Sequence, residues 1–384
     1  MRFEFATATR VVFGPGTLRE VGPIAAELGR RALVVTGRAG RLEAPLIVEL
    51  DARGISSVVL AVASEPTIEM VRQGAQLATE AACDMVIGIG GGSAMDAGKA
   101  IAALMTNGGD LLDYLEVIGG GRALSKPSAP CLAIPTTAGT GAEVTRNAVL
   151  ASPEHRVKVS LRSPLMLPRL ALVDPELTYD LPPEITAGTG LDALTQLIEP
   201  FVSVRANPAT DTLCREGLGR AARSLRRACE QGDDVAARED MALASLMGGL
   251  ALANAGLGAV HGIASVVGGM FDAPHGTVCA RLLPHVMAAN IEALEQRQPD
   301  GDALLRYREA ARTLTGRDAA SARDGVAWVR GLCEVLVVPP LSAYGVSRDD
   351  WPAIAEKSLL ASSTKANPVR LTAEEMRGIL ALAT

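Results

Sequence analysis

Residues 85–99 read Met85-Val86-Ile87-Gly88-Ile89-Gly90-Gly91-Gly92-Ser93-Ala94-Met95-Asp96-Ala97-Gly98-Lys99. An apolar run, 85–89, breaks into bare glycines and then into a helical pattern opened by Ser93, carrying Asp96 and Lys99. Glycines at such a turn let phosphate oxygens approach backbone N–H groups, and a helix N-terminus adds partial positive charge. The stretch is not a Walker loop, because Ser93 stands where the first glycine belongs and Ala100 where the Ser or Thr belongs. It also departs from the usual Rossmann spacing. Alone it reads either as a diphosphate cradle or as a tight strand-to-helix turn.

The flanking sequence decides the fold class. Residues 11–13, 32–36, 57–62 and 85–89 read as buried strands, and 17–28, 44–52 and 67–82 as the helices between them. That alternation predicts a parallel sheet covered on both faces. A further strand at 131–134 runs into Pro135-Thr136-Thr137-Ala138-Gly139-Thr140-Gly141, so two glycine-rich loops follow strand ends, where open α/β sheets bind ligands. After the Leu181-Pro182-Pro183 break strand signals nearly vanish, and 211–228, 236–254, 303–314 and 321–335 read as helices. The expected architecture is an α/β domain over 1–180 and an all-α domain over 181–384.

A length of 384 residues suits two domains and is ample for an enzyme. Mixed charges with a net of −6 supply no basic face, which sets nucleic-acid partners aside. Aromatics at 3% argue against a carbohydrate or base-stacking surface. The six cysteines are scattered without a CxxC pair and read as reduced, and the N-terminus lacks a signal-peptide core, so a cytoplasmic protein is expected. Residues 241–271 carry no charge and are long enough for a bilayer. The interruptions at Gly256 and Gly258, with acids at both ends, favour a buried helix and no membrane partner.

Polar chemistry gathers in the second half. Two of the four histidines stand beside glycine, in His261-Gly262 and Pro274-His275-Gly276. Upstream, Asp192 and Gln196 lie one turn apart on a helix read over 191–199 and stopped by Pro200. A fold can bring this carboxylate, amide and pair of imidazoles to one point. His285, after Pro284, reads as a structural hydrogen bonder, and His155, between Glu154 and Arg156, as a surface residue. At the end of the second strand an acid would hold adenosine ribose hydroxyls; Thr36-Gly37-Arg38 supplies none. NADP is therefore at least as well suited as NAD, with Arg38 alternatively a plain solvated residue.

With these pieces together the chain resembles the iron-containing (group III) alcohol dehydrogenases. The likeness runs through Phe13-Gly14-Pro15-Gly16, the 90–96 turn, the 134–141 loop, Gly190-Leu191-Asp192-Ala193-Leu194, His261-Gly262, Pro274-His275-Gly276 and Leu283-Pro284-His285. It implies a dinucleotide-binding domain, a helical domain of the dehydroquinate synthase-like fold, and an interdomain cleft where hydride passes between a nicotinamide and an alcohol or aldehyde. It implies cofactor contacts at Gly91, Gly92, Ser93, Asp96, Thr136, Thr137, Thr140 and Lys158, with Asn147 near nicotinamide and substrate. A homodimer is the expected assembly.

Two departures touch the chemistry. The family's metal site uses one aspartate and three histidines, and here Gln196 replaces one imidazole; a further family histidine linked to proton relay is Ser265. Asp192, His261 and His275 remain, with the Gln196 amide as a poorer fourth donor to Fe2+ or Zn2+. A bound metal would act as a Lewis acid. Without one, His261 or His275 would serve as a general acid oriented by Asp192, as in the related maleylacetate reductases, which reduce an oxo acid. A dinucleotide-binding protein that has lost catalysis is the third reading; a dehydroquinate synthase-like lyase is disfavoured because its metal motifs differ.

Overall fold

The computed structural model describes residues 2–37 and 43–384. Its elements in chain order are β1 (Arg10–Phe13), α1 (Val21–Ala26), β2 (Arg31–Gly37), α2 (Glu43–Asp51), β3 (Ser56–Val62), α3 (Ile68–Glu80), β4 (Met85–Gly90) and α4 (Gly92–Asn107). Then come β5 (Cys131–Pro135), β6 (Asn147–Ser152), β7 (Val157–Arg162) and β8 (Leu170–Val173). The helices α5 (Pro183–Val202), α6 (Pro208–Glu230), α7 (Val235–Ala255), α8 (Ala259–Met270) and α9 (His275–Arg297) follow. The chain ends with α10 (Asp302–Thr315), α11 (Ala322–Val335), α12 (Trp351–Leu360) and α13 (Ala373–Ala383). Two compact units result, one over Ala6–Tyr179 and one over Asp180–Thr384 with the extreme N-terminal residues.

In the first unit the described strands form a six-stranded sheet, ordered β1-β8-β5-β4-β2-β3, with every neighbouring pair parallel. Alternate residues of a strand feed opposite faces. Leu33 and Val35 of β2 pack with α3 and α4 residues such as Val71 and Ile101, whereas Val34 packs with Val21, Leu46 and Leu50 of α1 and α2. Burial on both faces is why these strands read as continuous apolar runs. The chain passes from β2 out to β3 and returns on the other side of β2 as β4. The order therefore reverses between β2 and β4, and ligands bind open α/β sheets at the carboxyl ends of such a pair.

Local differences from the sequence reading have local causes. The 17–28 segment divides into a 3-10 turn, Thr17–Glu20, and α1, with Pro23 in the first turn of α1 where an N–H is not needed. A hairpin, β6 paired antiparallel with β7, and the strand β8 are additions that the sequence reading did not contain.

The second unit is helical throughout its described elements. Its central helix, α5, runs through Pro200 to Val202 rather than stopping before the proline. At the last turn a proline removes one N–H bond, and burial of Phe201 and Val202 outweighs that loss. The uncharged stretch 241–271 is not one helix. It forms the end of α7 and all of α8, bent by 98° at the Gly256–Gly258 break. Among the described residues no single helix is long and apolar enough to cross a membrane; only this bent pair passes by length and composition.

Candidate functional site

In the first unit the sheet's reversal falls at Gly37 and Gly90, the last residues of β2 and β4. A Cβ on Gly90 would lie 2.8 Å from the Ala94 Cβ and 3.3 Å from the Gly37 nitrogen, so only glycine lets the two strand ends and α4 meet. The helix α4 starts at Gly92 with Gly91, not Ser93, at its N-cap. No side chain caps it, which leaves its first N–H groups available to an anion.

The 135–141 loop stands over this turn. A Cβ on Gly91 would sit 3.8 Å from the Thr137 Oγ1, and one on Gly92 only 3.0 Å from the Thr140 Cγ2. Thr137 Oγ1 is buried without a hydrogen-bond partner, as expected of a hydroxyl awaiting a ligand. Thr136 is buried, its N–H donating to the Gly90 carbonyl at 2.9 Å.

Asp96 and Lys99 are engaged inside the protein. The Asp96 carboxylate pairs with the Lys99 Nζ at 2.9 Å and accepts from the Val149 N–H at 2.9 Å. Lys99, fully buried, also donates to the Ala142 carbonyl, the Thr145 hydroxyl and the Asn147 carbonyl. It ties α4 to the start of β6, where Asn147 sits. Lys158, on β7, pairs with Glu65 at 3.0 Å. Ser93 is half-buried in the first turn of α4, and Arg38 lies outside the described residues.

In the second unit, Asp192, Gln196 and Glu199 occupy one face of α5, at spacings of four and three, and all three are buried. His261 lies in the first turn of α8 and His275 opens α9. The glycines beside them explain the pairing. A Cβ on Gly262 would fall 2.0 Å from the Thr364 Oγ1, and one on Gly276 2.5 Å from the Gly188 carbonyl oxygen of α5. A side chain at Gly276 would push the start of α9 away from α5, and one at Gly262 would drive the start of α8 off Thr364.

The imidazoles consequently meet the carboxylate. His261 Nε2 lies 3.3 Å and His275 Nε2 3.9 Å from Asp192 Oδ1, and the ring centroids are 5.5 Å apart. Gln196 Nε2 donates to Asp192 Oδ2 at 3.0 Å. Two further residues join. Glu199 Oε2 accepts from His261 Nδ1 at 2.7 Å, and the Cys279 Sγ lies 3.6 Å from His275 Nε2. One ligand atom from each of Asp192, His261, His275 and Cys279 lies within 4.8 Å of the others.

Electrostatics couple the cluster. Burial opposes the charged form of Asp192, but the hydrogen bond to His261 and the nearby His275 outweigh it and hold the carboxyl below its usual range. Burial likewise opposes protonated His261; the Cys279 sulfur, Asp192 and Glu199 prevail and lift its pKa well above 6.5. The Cys279 sulfur is also the main cause of the upward shift at His275, against burial.

Asp192 Oδ1, Gln196 Oε1 and His261 Nε2 are buried with no hydrogen-bond partner. His261 Nδ1 lies against Glu199 and its Nε2 3.3 Å from Asp192 Oδ1, so once the ring keeps only its Nδ1 proton the Nε2 lone pair faces a carboxylate oxygen. Two such lone pairs repel unless a proton or a cation lies between them. A carboxylate, two imidazoles and a neutral amide oxygen also form a donor set suited to a divalent ion.

Residues 8–175 match the family model for iron-containing alcohol dehydrogenase, and 186–384 match that for the C-terminal part of the Fe-containing alcohol dehydrogenase family. The chain belongs to the iron-containing alcohol dehydrogenase family. It is 35% identical over 386 residues to 1,3-propanediol dehydrogenase of Klebsiella pneumoniae, covering 98% of this chain and 97% of that one. A crystal structure of a 1,3-propanediol oxidoreductase superposes with a TM-score of 0.93 at 33% identity, covering all of both chains. Sulfoacetaldehyde reductase from Bifidobacterium kashiwanohense, in complex with NAD+, superposes with a TM-score of 0.86 at 27% identity, covering 100% of this chain and 99% of that one. As a member of the family, this iron-containing alcohol dehydrogenase is an oxidoreductase interconverting alcohols and aldehydes. The family uses NAD(H) and a divalent metal.

Glu199 and Cys279 were not legible as site residues. Glu199 stands seven residues after Asp192 on the same helix face, and Cys279 four after His275, so helical spacing was the available signal. The Ser265 hydroxyl donates to the Gly262 carbonyl at 3.0 Å. His285 is no simple hydrogen bonder: its Nδ1 is buried unpartnered, and burial beside Arg281 and Arg330 pushes its pKa down to about 4. His155 is exposed, with Nδ1 2.8 Å from the Ser152 hydroxyl.

Proposed function

We propose that this dehydrogenase works with a divalent cation held by Asp192, His261 and His275, with the Gln196 amide beside them. His261 Nε2 and Asp192 Oδ1, 3.3 Å apart, buried and both without a hydrogen-bond partner, carry this reading. They favour it over a metal-free general-acid mechanism, in which those atoms would be left facing each other whenever the imidazole had released its proton. When bound, the cation supplies Lewis acidity toward a carbonyl or alkoxide oxygen, and the nicotinamide supplies or accepts hydride.

The chain's own residues do the rest. Glu199 holds the Nδ1 proton of His261 and so directs its Nε2 lone pair into the site. Gln196 fixes the Asp192 carboxylate through Oδ2, leaving Oδ1 free. The α4 N-terminus, with Gly91, Gly92 and Ser93, binds the diphosphate, and Thr137 offers its unpaired hydroxyl. With no acid at Gly37, NADPH is accepted at least as well as NADH. Small alcohols and their aldehydes are the proposed substrates.

Exhaustive chelation followed by NADPH- and NADH-coupled turnover of an aldehyde panel tests the reading. Activity should vanish with the ion and return on adding Fe2+ or Zn2+. Full turnover of verified metal-free protein would instead favour the general-acid mechanism.

A further inference from the structure

Resting on the reading that this cluster holds a divalent cation, we propose that the Cys279 thiolate is itself a ligand. The site is then a carboxylate, two imidazoles and one sulfur, and it prefers zinc to iron(II).

His275 and Cys279 are four residues apart on α9 and present their donor atoms from successive turns of one face. Bonds of about 2.0–2.3 Å meeting at tetrahedral angles separate neighbouring ligand atoms by about 3.3–3.6 Å. The 3.6 Å between Cys279 Sγ and His275 Nε2 and the 3.3 Å between His261 Nε2 and Asp192 Oδ1 fall within that spacing; His275 Nε2 lies 3.9 Å from Asp192 Oδ1, and all four ligand atoms lie within 4.8 Å of one another, so the site tightens slightly on binding. Cys279 is fully buried, and the two unpartnered atoms, Asp192 Oδ1 and His261 Nε2, belong to the same four-residue cluster. Other cysteines differ. Cys333, for example, places its thiol 3.4 Å from the Ala280 carbonyl.

With Gln196 in place of an imidazole, the set would lack a fourth good donor unless the sulfur joins it. On binding, the S–H bond breaks, its proton leaves to solvent, and a sulfur–metal bond forms. Thiolate is a soft ligand and shifts preference toward zinc.

Zinc-edge X-ray absorption on the intact, zinc-loaded protein reads the ligands directly. One sulfur scatterer at about 2.3 Å is expected. A bound zinc with only nitrogen and oxygen neighbours would overturn the proposal while leaving the cation reading intact, and failure to retain any cation would overturn both. The Cys279→Ser protein, loaded with cobalt(II), should lose the near-ultraviolet sulfur-to-metal band that the unaltered protein shows. Its zinc affinity should fall about tenfold or more and its manganese affinity should change little. A band that survives the substitution, or equal loss for both ions, would count against Cys279. Should the variant fail to fold, the absorption measurement on the unaltered chain decides alone.

Discussion

The carboxylate of Glu199 bridges two parts of α8, accepting from His261 Nδ1 through one oxygen and from the Val260 N–H through the other, each at 2.7 Å. One side chain thus fixes both the helix start and the tautomer of the imidazole. Carboxylate–histidine pairs of this kind set which ring nitrogen is free to ligate.

Replacing that carboxylate by an amide reverses the instruction. In Glu199→Gln, an NH2 group facing Nδ1 favours the tautomer protonated on Nε2, which cannot bind metal. Metal affinity should drop about 10–100-fold by chelator competition, with the metal-free unfolding temperature little changed. Unaltered affinity would remove Glu199 from its positioning role.

Protons and metal compete for the imidazoles. Because the pKa values of His261 and His275 are raised, both hold protons in the ion-free protein to higher pH than free histidine, and binding must displace them. Apparent metal affinity should therefore rise with pH through neutrality and level off above those raised values. Fluorescent-chelator titrations at several pH values test the slope; a flat profile would contradict it.

The end of β2 should govern the choice of dinucleotide. Among the described residues a Cβ at Gly37 meets nothing within 4 Å, so Gly37→Asp introduces a carboxylate without crowding them. The new charge should repel a 2'-phosphate and hold ribose hydroxyls, shifting preference toward NADH by about tenfold, or roughly 1.4 kcal/mol. The ratio of kcat/KM for NADH and NADPH measures it, and an unchanged ratio would exclude Gly37 from the adenosine site.

Gly91 separates cofactor binding from folding. Its Cβ position has only ordinary contact with Thr137, so Gly91→Val should fold, while its branches cover the uncapped start of α4. Dinucleotide affinity should weaken about tenfold or more, about 1.4 kcal/mol, with unfolding temperature nearly unchanged. Calorimetric titration with NADH and NADPH reads the loss; equal affinity would place the diphosphate elsewhere.

The sequence alone determined the parallel α/β sheet, since strands buried on both faces leave uninterrupted apolar runs such as 85–89, and the helical second half, since strand signals fade after the prolines at 182 and 183. It also marked His261 and His275, because polar residues beside glycine in the least charged region stand out, and Asp192, because Gln196 follows it by one helical turn. Tertiary structure decided what these residues touch. Glu199 and Cys279 look like an ordinary helical acid and an ordinary buried thiol until α5, α8 and α9 pack, and the hairpin β6–β7 alternates buried with part-buried residues rather than forming an apolar run. Likewise Asp96, a cofactor contact by family resemblance, pairs with Lys99 and with β6, because spacing along a chain records which face a residue occupies but not which neighbour fills it.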